Sequence, residues 1–187
     1  MVRWEPDAYG RLREAALGLF VEQGFEQTTV AQIAERAGLN RRTFFHHFTD
    51  KREVVFAGQG ESDALIAAEI RAQPATVDLL HAATAGLKRA ADEVFEQYQP
   101  GAVALGRVIA ASPELQEREL VKRAALAATM ARALGDRGAP EAAATVAGWA
   151  AVAVFFLARN RWNQPANRRT LAQLIDETLE EFVSAAV

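Results

Sequence analysis

Arg41, Arg42, Phe45 and His46 crowd one side of the segment Arg41–Phe48, and the chemistry they share is recognition of a polyanion. Arginine can bridge the two acceptors on a guanine edge or grip a phosphate. Histidine can hydrogen-bond a phosphate, and a phenyl ring can touch a thymine methyl or a sugar. Other chemistry is quickly exhausted. The histidines are His46, His47 and His81, and adjacent helical positions point about 100° apart, which suits a nucleic acid better than a single metal ion. There is no Gly-rich phosphate loop and no Ser-His-Asp pattern. Lack of cysteine excludes disulfides and thiolate catalysis and fits a reducing cytosol. The sequence points to binding, with no enzyme activity, no cofactor and no metal.

The elements that must carry these side chains are legible around them. Thr29 followed three residues on by Gln32 is a capping box and starts a helix. Val30, Ile33, Ala34 and Ala37 recur at helical spacing as one buried stripe. Gly38 stops that helix, and Asn40 caps a second over Arg41–Phe48. Phe44 and Phe48, four apart, face the first helix and turn the arginines outward. Asp50 caps a third helix with Glu53 at its third position. Lys51 in that first turn is the less expected sign for a helix N-terminus, and an arriving phosphate would explain it.

Charge supports a polyanion partner. Residues 36–52 carry five bases (Arg36, Arg41, Arg42, Lys51, Arg52) against Asp50, a net +4, whereas the whole chain is −3 and the remainder therefore −7. An acidic protein with one basic patch presents that patch to a polyanion. A helical interaction protein offering the basic hairpin to an acidic protein is the other reading.

Composition predicts an all-α chain. Half of the 187 residues are apolar, only 8% are aromatic, and alanine, the strongest helix former, is abundant. No alternating β-branched run interrupts this. Residues 142–158 hold no charge over 17 residues, the lower edge of a membrane span, and read better as a core helix of a soluble bundle. The opening MVRWEPD shows no basic-then-apolar signal, so a cytoplasmic location is expected.

Ala15-Ala16, Leu19-Phe20, Gly24-Phe25, Thr28-Thr29-Val30, Ile33-Ala34, Ala37-Gly38-Leu39, Arg42-Thr43-Phe44-Phe45, Phe48 and Lys51 together resemble the N-terminal domain of the tetracycline-repressor (TetR) family of bacterial transcription regulators. The resemblance spans about Arg11 to Phe56. It implies an all-helical homodimer: a three-helix head with a helix-turn-helix (residues 1–50) that binds a palindromic operator, and a C-terminal bundle (51–187) for dimerisation and a small effector that releases the DNA. By position it assigns DNA contacts to Thr29, Arg41, Arg42, Thr43, Phe45, His47 and Lys51. Phe45 departs from the tyrosine many members carry and lacks its hydroxyl. Asn40 replaces the commoner serine and caps equally well.

Downstream, helices are expected over 6–23, 50–72 (weakened by Gly58 and Gly60), 76–98, 102–111, 113–134 and 140–162, with a last one capped by Asn167, about nine in all. The stripe Leu171, Ile175, Leu179 and Phe182, with Phe155 on the uncharged helix, is expected at a dimer interface. Phe95, Tyr98, Val108, Met130 and Trp149 lie on helices that would line the family's effector pocket, although the same spacing is what a core contains. Arg107, in an apolar stretch, would anchor an anionic group or face water. The scarcity of buried polar candidates favours a hydrophobic, acyl-bearing effector.

Overall fold

The computed structural model describes residues 7–57, 59–96 and 99–186. Ten α-helices and one π-helical turn account for the ordered elements, with no strand among the described residues. They are α1 (Ala8–Gln23), α2 (Val30–Arg36), α3 (Arg41–His47), α4 (Lys51–Val55), α5 (Gln59–Ala72), α6 (Leu79–Ala90), the π turn Ala91–Phe95, α7 (Gln99–Ala111), α8 (Pro113–Asp136), α9 (Glu141–Trp162) and α10 (Leu171–Ala186).

The chain forms two units. One comprises residues up to Gly58 with Ala104–Glu119, the other Gln59–Val103 with Leu120–Val187. The division expected at residue 50 therefore differs from the observed one. The reason is apolar area. Three short helices bury little on their own, and the N-terminal core of Leu12, Phe20, Ile33, Phe44 and Phe48 is completed by Val54 and Val55 of α4 and by Val108, Ile109 and Leu115.

In the second unit α6 is central, packing against α5, α9 and α10. Gly86 allows this. A Cβ there would lie 2.7 Å from the Ile66 carbonyl oxygen, so only glycine lets α5 and α6 approach so closely. Although α9 is long and apolar enough to cross a bilayer, one side of it (Ala144, Ala151, Val154, Ala158, Trp162) belongs to this core, as a soluble-bundle helix requires.

Several local expectations are corrected. The helix expected over 50–72 is interrupted. It ends at Val55, where the Phe56 N–H bonds the carbonyls of Glu53 and Val54, and α5 restarts at Gln59; Gly58 lies outside the described residues. Asp78, not Thr76, caps α6, accepting from the N–H groups of Leu80 and His81. The last helix is capped by Thr170 and Gln173, each side chain bonding the other's backbone N–H at 3.0–3.2 Å. Asn167 instead shapes the preceding loop through the Trp162 and Arg169 carbonyls.

The largest correction concerns the stripe expected at a dimer interface. Leu171, Ile175 and Leu179, with Phe155 of α9, lie inside the second unit's own core. Their periodicity is real, but it serves α10 packing on α9 and α6 of the same chain. Only Phe182 of that set is exposed, at 43%.

Candidate nucleic-acid interface

The hairpin α2–α3 is built from local hydrogen bonds. Thr29 Oγ1 accepts from the Gln32 N–H at 3.2 Å, while Gln32 Oε1 accepts from the Thr29 N–H at 2.8 Å. Those two bonds satisfy orphan donors at both ends of the first turn. Gly38 closes α2 with φ +68, its N–H on the Glu35 carbonyl and that of Leu39 on Ala34. Arg11 of α1 donates to the Ala37 carbonyl, and a side chain at 38 would meet that guanidinium at 2.8 Å. Asn40 Oδ1 then accepts from the Thr43 N–H at 2.9 Å and its hydroxyl at 3.2 Å, starting α3.

Packing fixes which face of α3 looks out. Phe44 is fully buried and Phe48 nearly so, their rings 5.5 Å apart. Arg41, Arg42, His46 and His47 are exposed, and Phe45 is 51% exposed, edge-on to Phe44. Thr29 is exposed and Thr43 half-buried, its hydroxyl committed to the Asn40 cap. The residues expected to contact DNA on α3 are thus assembled on one outward surface.

The basic patch is narrower than its charge count. Arg36 pairs with Glu22 at 2.5 Å, and Arg52 with Asp50 at 2.6 Å and Glu114 at 3.3 Å. Lys51 Nζ donates to the carbonyls of Phe25 at 2.9 Å and Thr28 at 3.3 Å and sits 4.1 Å over the Phe25 ring. The ammonium expected to await a phosphate thus braces the α1–α2 turn. Arg41 and Arg42 are the two of the five that make no hydrogen bond or ion pair with the described residues. We expect Lys51→Met to lower the unit's stability by about 1–2 kcal/mol in urea unfolding, since it strands two carbonyls and removes a cation–π contact.

At the start of α4, Asp50 Oδ1 accepts from the N–H groups of Arg52 and Glu53 at 2.8 and 3.2 Å. The Arg52 guanidinium, helped by those N–H groups and opposed by partial burial, holds the Asp50 carboxyl below its ordinary value. A depressed carboxylate stabilises the fold above its ordinary pKa and loses that contribution as pH falls.

Tyr9 escaped prediction. Its ring stacks on Phe48 at 5.0 Å and meets His47 edge-on at 6.2 Å, so it borders the C-terminal end of α3. The signal was present, because Tyr9 extends the buried stripe Leu12–Ala16 by one turn.

The expected effector-pocket residues do not gather at one place. Arg107, exposed, and Val108, buried, belong to the N-terminal unit, where Arg107 borders a concavity of about 440 Å³ with Phe20, Phe25 and Ser112. Phe95 and Met130 lie in the second unit's core, Phe95 5.7 Å from Phe155. Trp149, 50% exposed, edges an alanine-lined trough of about 500 Å³ between α8 and α9. Tyr98 lies outside the described residues.

Residues 12–57, which contain this hairpin and its outward arginine face, match the family model for bacterial regulatory proteins of the tetR family. This N-terminal segment is a TetR-family DNA-binding domain. The chain is 30% identical over 132 residues to the HTH-type transcriptional regulator TcmR of Streptomyces glaucescens, covering 68% of this chain and 58% of that one. It is 37% identical over 67 residues to the HTH-type transcriptional repressor AcnR of Corynebacterium diphtheriae, 36% of this chain and 35% of that one. The chain thus spans less than two thirds of either relative. In fold it is similar to Thermus thermophilus FadR, a TetR-family repressor solved with lauroyl-CoA, with TM-score 0.61, 20% identity and coverage of 95% and 94% of the two chains.

Proposed function

We propose that this TetR-family chain is a sequence-specific transcriptional repressor, released from a palindromic operator by a small hydrophobic effector. The observation that carries the reading is the outward face of α3, where Arg41, Arg42, Phe45, His46 and His47 stand clear of a core closed by Phe44 and Phe48. Arg41 and Arg42 read guanine edges or phosphates, Thr29 and Thr43 flank them, and Lys51 acts as a brace rather than a contact. Both relatives compared are named as transcriptional regulators, which favours DNA over an acidic protein partner.

Two heads are needed to read two half-sites about 34–36 Å apart. The partner surface we assign is the exposed row of α9, Val146 (68%), Trp149 (50%) and Leu157 (56%), lengthened by Ala142 and Ala153 on the same side. An uncharged exposed row of this kind marks an association surface, and a second copy of the chain is the occupant that a palindrome requires. Trp149→Glu should convert dimer to monomer in sedimentation velocity while leaving helix content unchanged.

The effector reading rests on the apolar, polar-poor interior of the second unit and on the acyl thioester held by FadR. Fluorescence anisotropy with the palindromic duplex nearest the chain's own gene tests the whole proposal. Selective binding that weakens steeply with salt is the expected result; equal binding to a scrambled duplex overturns it. Native mass spectrometry of the purified protein should reveal a dimer with a co-purified apolar ligand.

A further inference from the structure

Within the N-terminal unit, α4 is tied to a segment far along the chain. The Arg118 guanidinium places Nε at 2.7 Å and Nη2 at 2.5 Å from Oε1 of Glu53, 65 residues earlier. One turn before it on α8, Glu114 meets Arg52 at 3.3 Å, completing a chain of charges from Asp50 through Arg52. Between these two residues in sequence, Leu115 is fully buried in the unit's core. A third tie, from Ser112 Oγ to Glu26 at 3.0 Å, holds the same segment to the α1–α2 turn.

The position of α4 matters for α3. Its cap, Asp50, follows the α3 cap, Phe48, by two residues, and Lys51 in its first turn fixes the α1–α2 turn. Tilting α4 therefore moves the reading helix. The Glu53–Arg118 side chains are 23% and 35% exposed, so their pairing contributes modestly to overall stability. A guanidinium fork on one carboxylate oxygen nevertheless constrains direction more than a lone ammonium does. We propose that Arg118 and Glu114 are positioning residues for operator binding: their ion pairs to Glu53 and Arg52 hold α4 in the pose that lets α3 reach its half-site. This rests on the repressor reading and names residues outside the helix-turn-helix as determinants of its affinity.

The test compares Arg118→Met, which keeps the aliphatic stem, with Arg118→Lys, which keeps the charge, in the full-length protein. Arg118→Met should lower operator affinity about tenfold with little change in melting temperature, and Arg118→Lys should recover most of that loss. Glu53→Gln should repeat the Arg118→Met result. Hydrogen exchange at the α4 amides should quicken in Arg118→Met and return toward wild type in Arg118→Lys. The inference is overturned if Arg118→Met binds operator like wild type, or if affinity falls only in proportion to lost folded protein. If wild type itself binds no operator, the repressor reading fails, and the exchange comparison still decides whether the pair holds α4.

Discussion

Leu115→Ala is expected to destabilise the N-terminal unit by about 2–5 kcal/mol, the range for deleting a buried leucine side chain where the surroundings relax only in part. Leu115 is fully buried and packs in one cluster with Leu12, Phe20, Ile33 and Phe44. Domains of this size hold about 5–15 kcal/mol in total, so the loss would bring the N-terminal unit near its folding threshold. Thermal unfolding followed through α1–α4 amide exchange reads it directly. A variant whose head amides stay protected as in wild type would show that the head's core closes without this residue. Leu120→Ala is the matched control: five residues later on the same helix, Leu120 is 62% exposed and its truncation should leave stability unchanged within about 0.5 kcal/mol.

The second large effect concerns Arg42. Arg42→Ala should weaken operator binding by about tenfold to a hundredfold, the value of a bidentate arginine contact to guanine, while leaving the head's melting temperature intact, because the side chain is exposed and makes no hydrogen bond or ion pair with the described residues. If the contact is to a base, discrimination at one operator position should relax; if it is to phosphate, the loss should be uniform and the salt slope should fall by about one. Arg36→Ala supplies the contrast. Its guanidinium already holds Glu22 through two bonds at 2.5 and 2.6 Å, so it should affect affinity far less. Anisotropy titrations of both variants at several salt concentrations separate these cases, and equal losses for Arg36 and Arg42 would remove the special role given to α3.

What could be read in advance follows the range of each interaction. The capping box at Thr29, the cap at Asn40 and the stop at Gly38 are exchanges within a few residues, and they are found where the sequence places them. The outward arginine face follows from Phe44 and Phe48, whose burial leaves the opposite side no other direction. The bracing bonds of Lys51 are not legible in advance, because its partners are carbonyl oxygens, which every residue carries and no pattern reveals. The charge count overstated the patch for a related reason, since Glu22 and Glu114 reach Arg36 and Arg52 only once the chain is folded. For α10, periodicity showed that Leu171, Ile175 and Leu179 would be covered, yet it could not say by which surface, and the cover is the chain's own α9 and α6.

Because residues 104–119 belong to the same unit as α1–α4 and supply Val108, Ile109 and Leu115 to its core, the head is not a cassette that ends where its motif ends. A chimera that grafts residues 1–58 onto a foreign sensor would deprive the cluster of Phe20 and Val54 of Val108, Ile109 and Leu115, and the Glu53 carboxylate of Arg118. Transplanting operator specificity between regulators of this kind therefore calls for moving two separate stretches of sequence together, or for redesigning the recipient's equivalent of Ser112 to Arg118 to accept the newcomer.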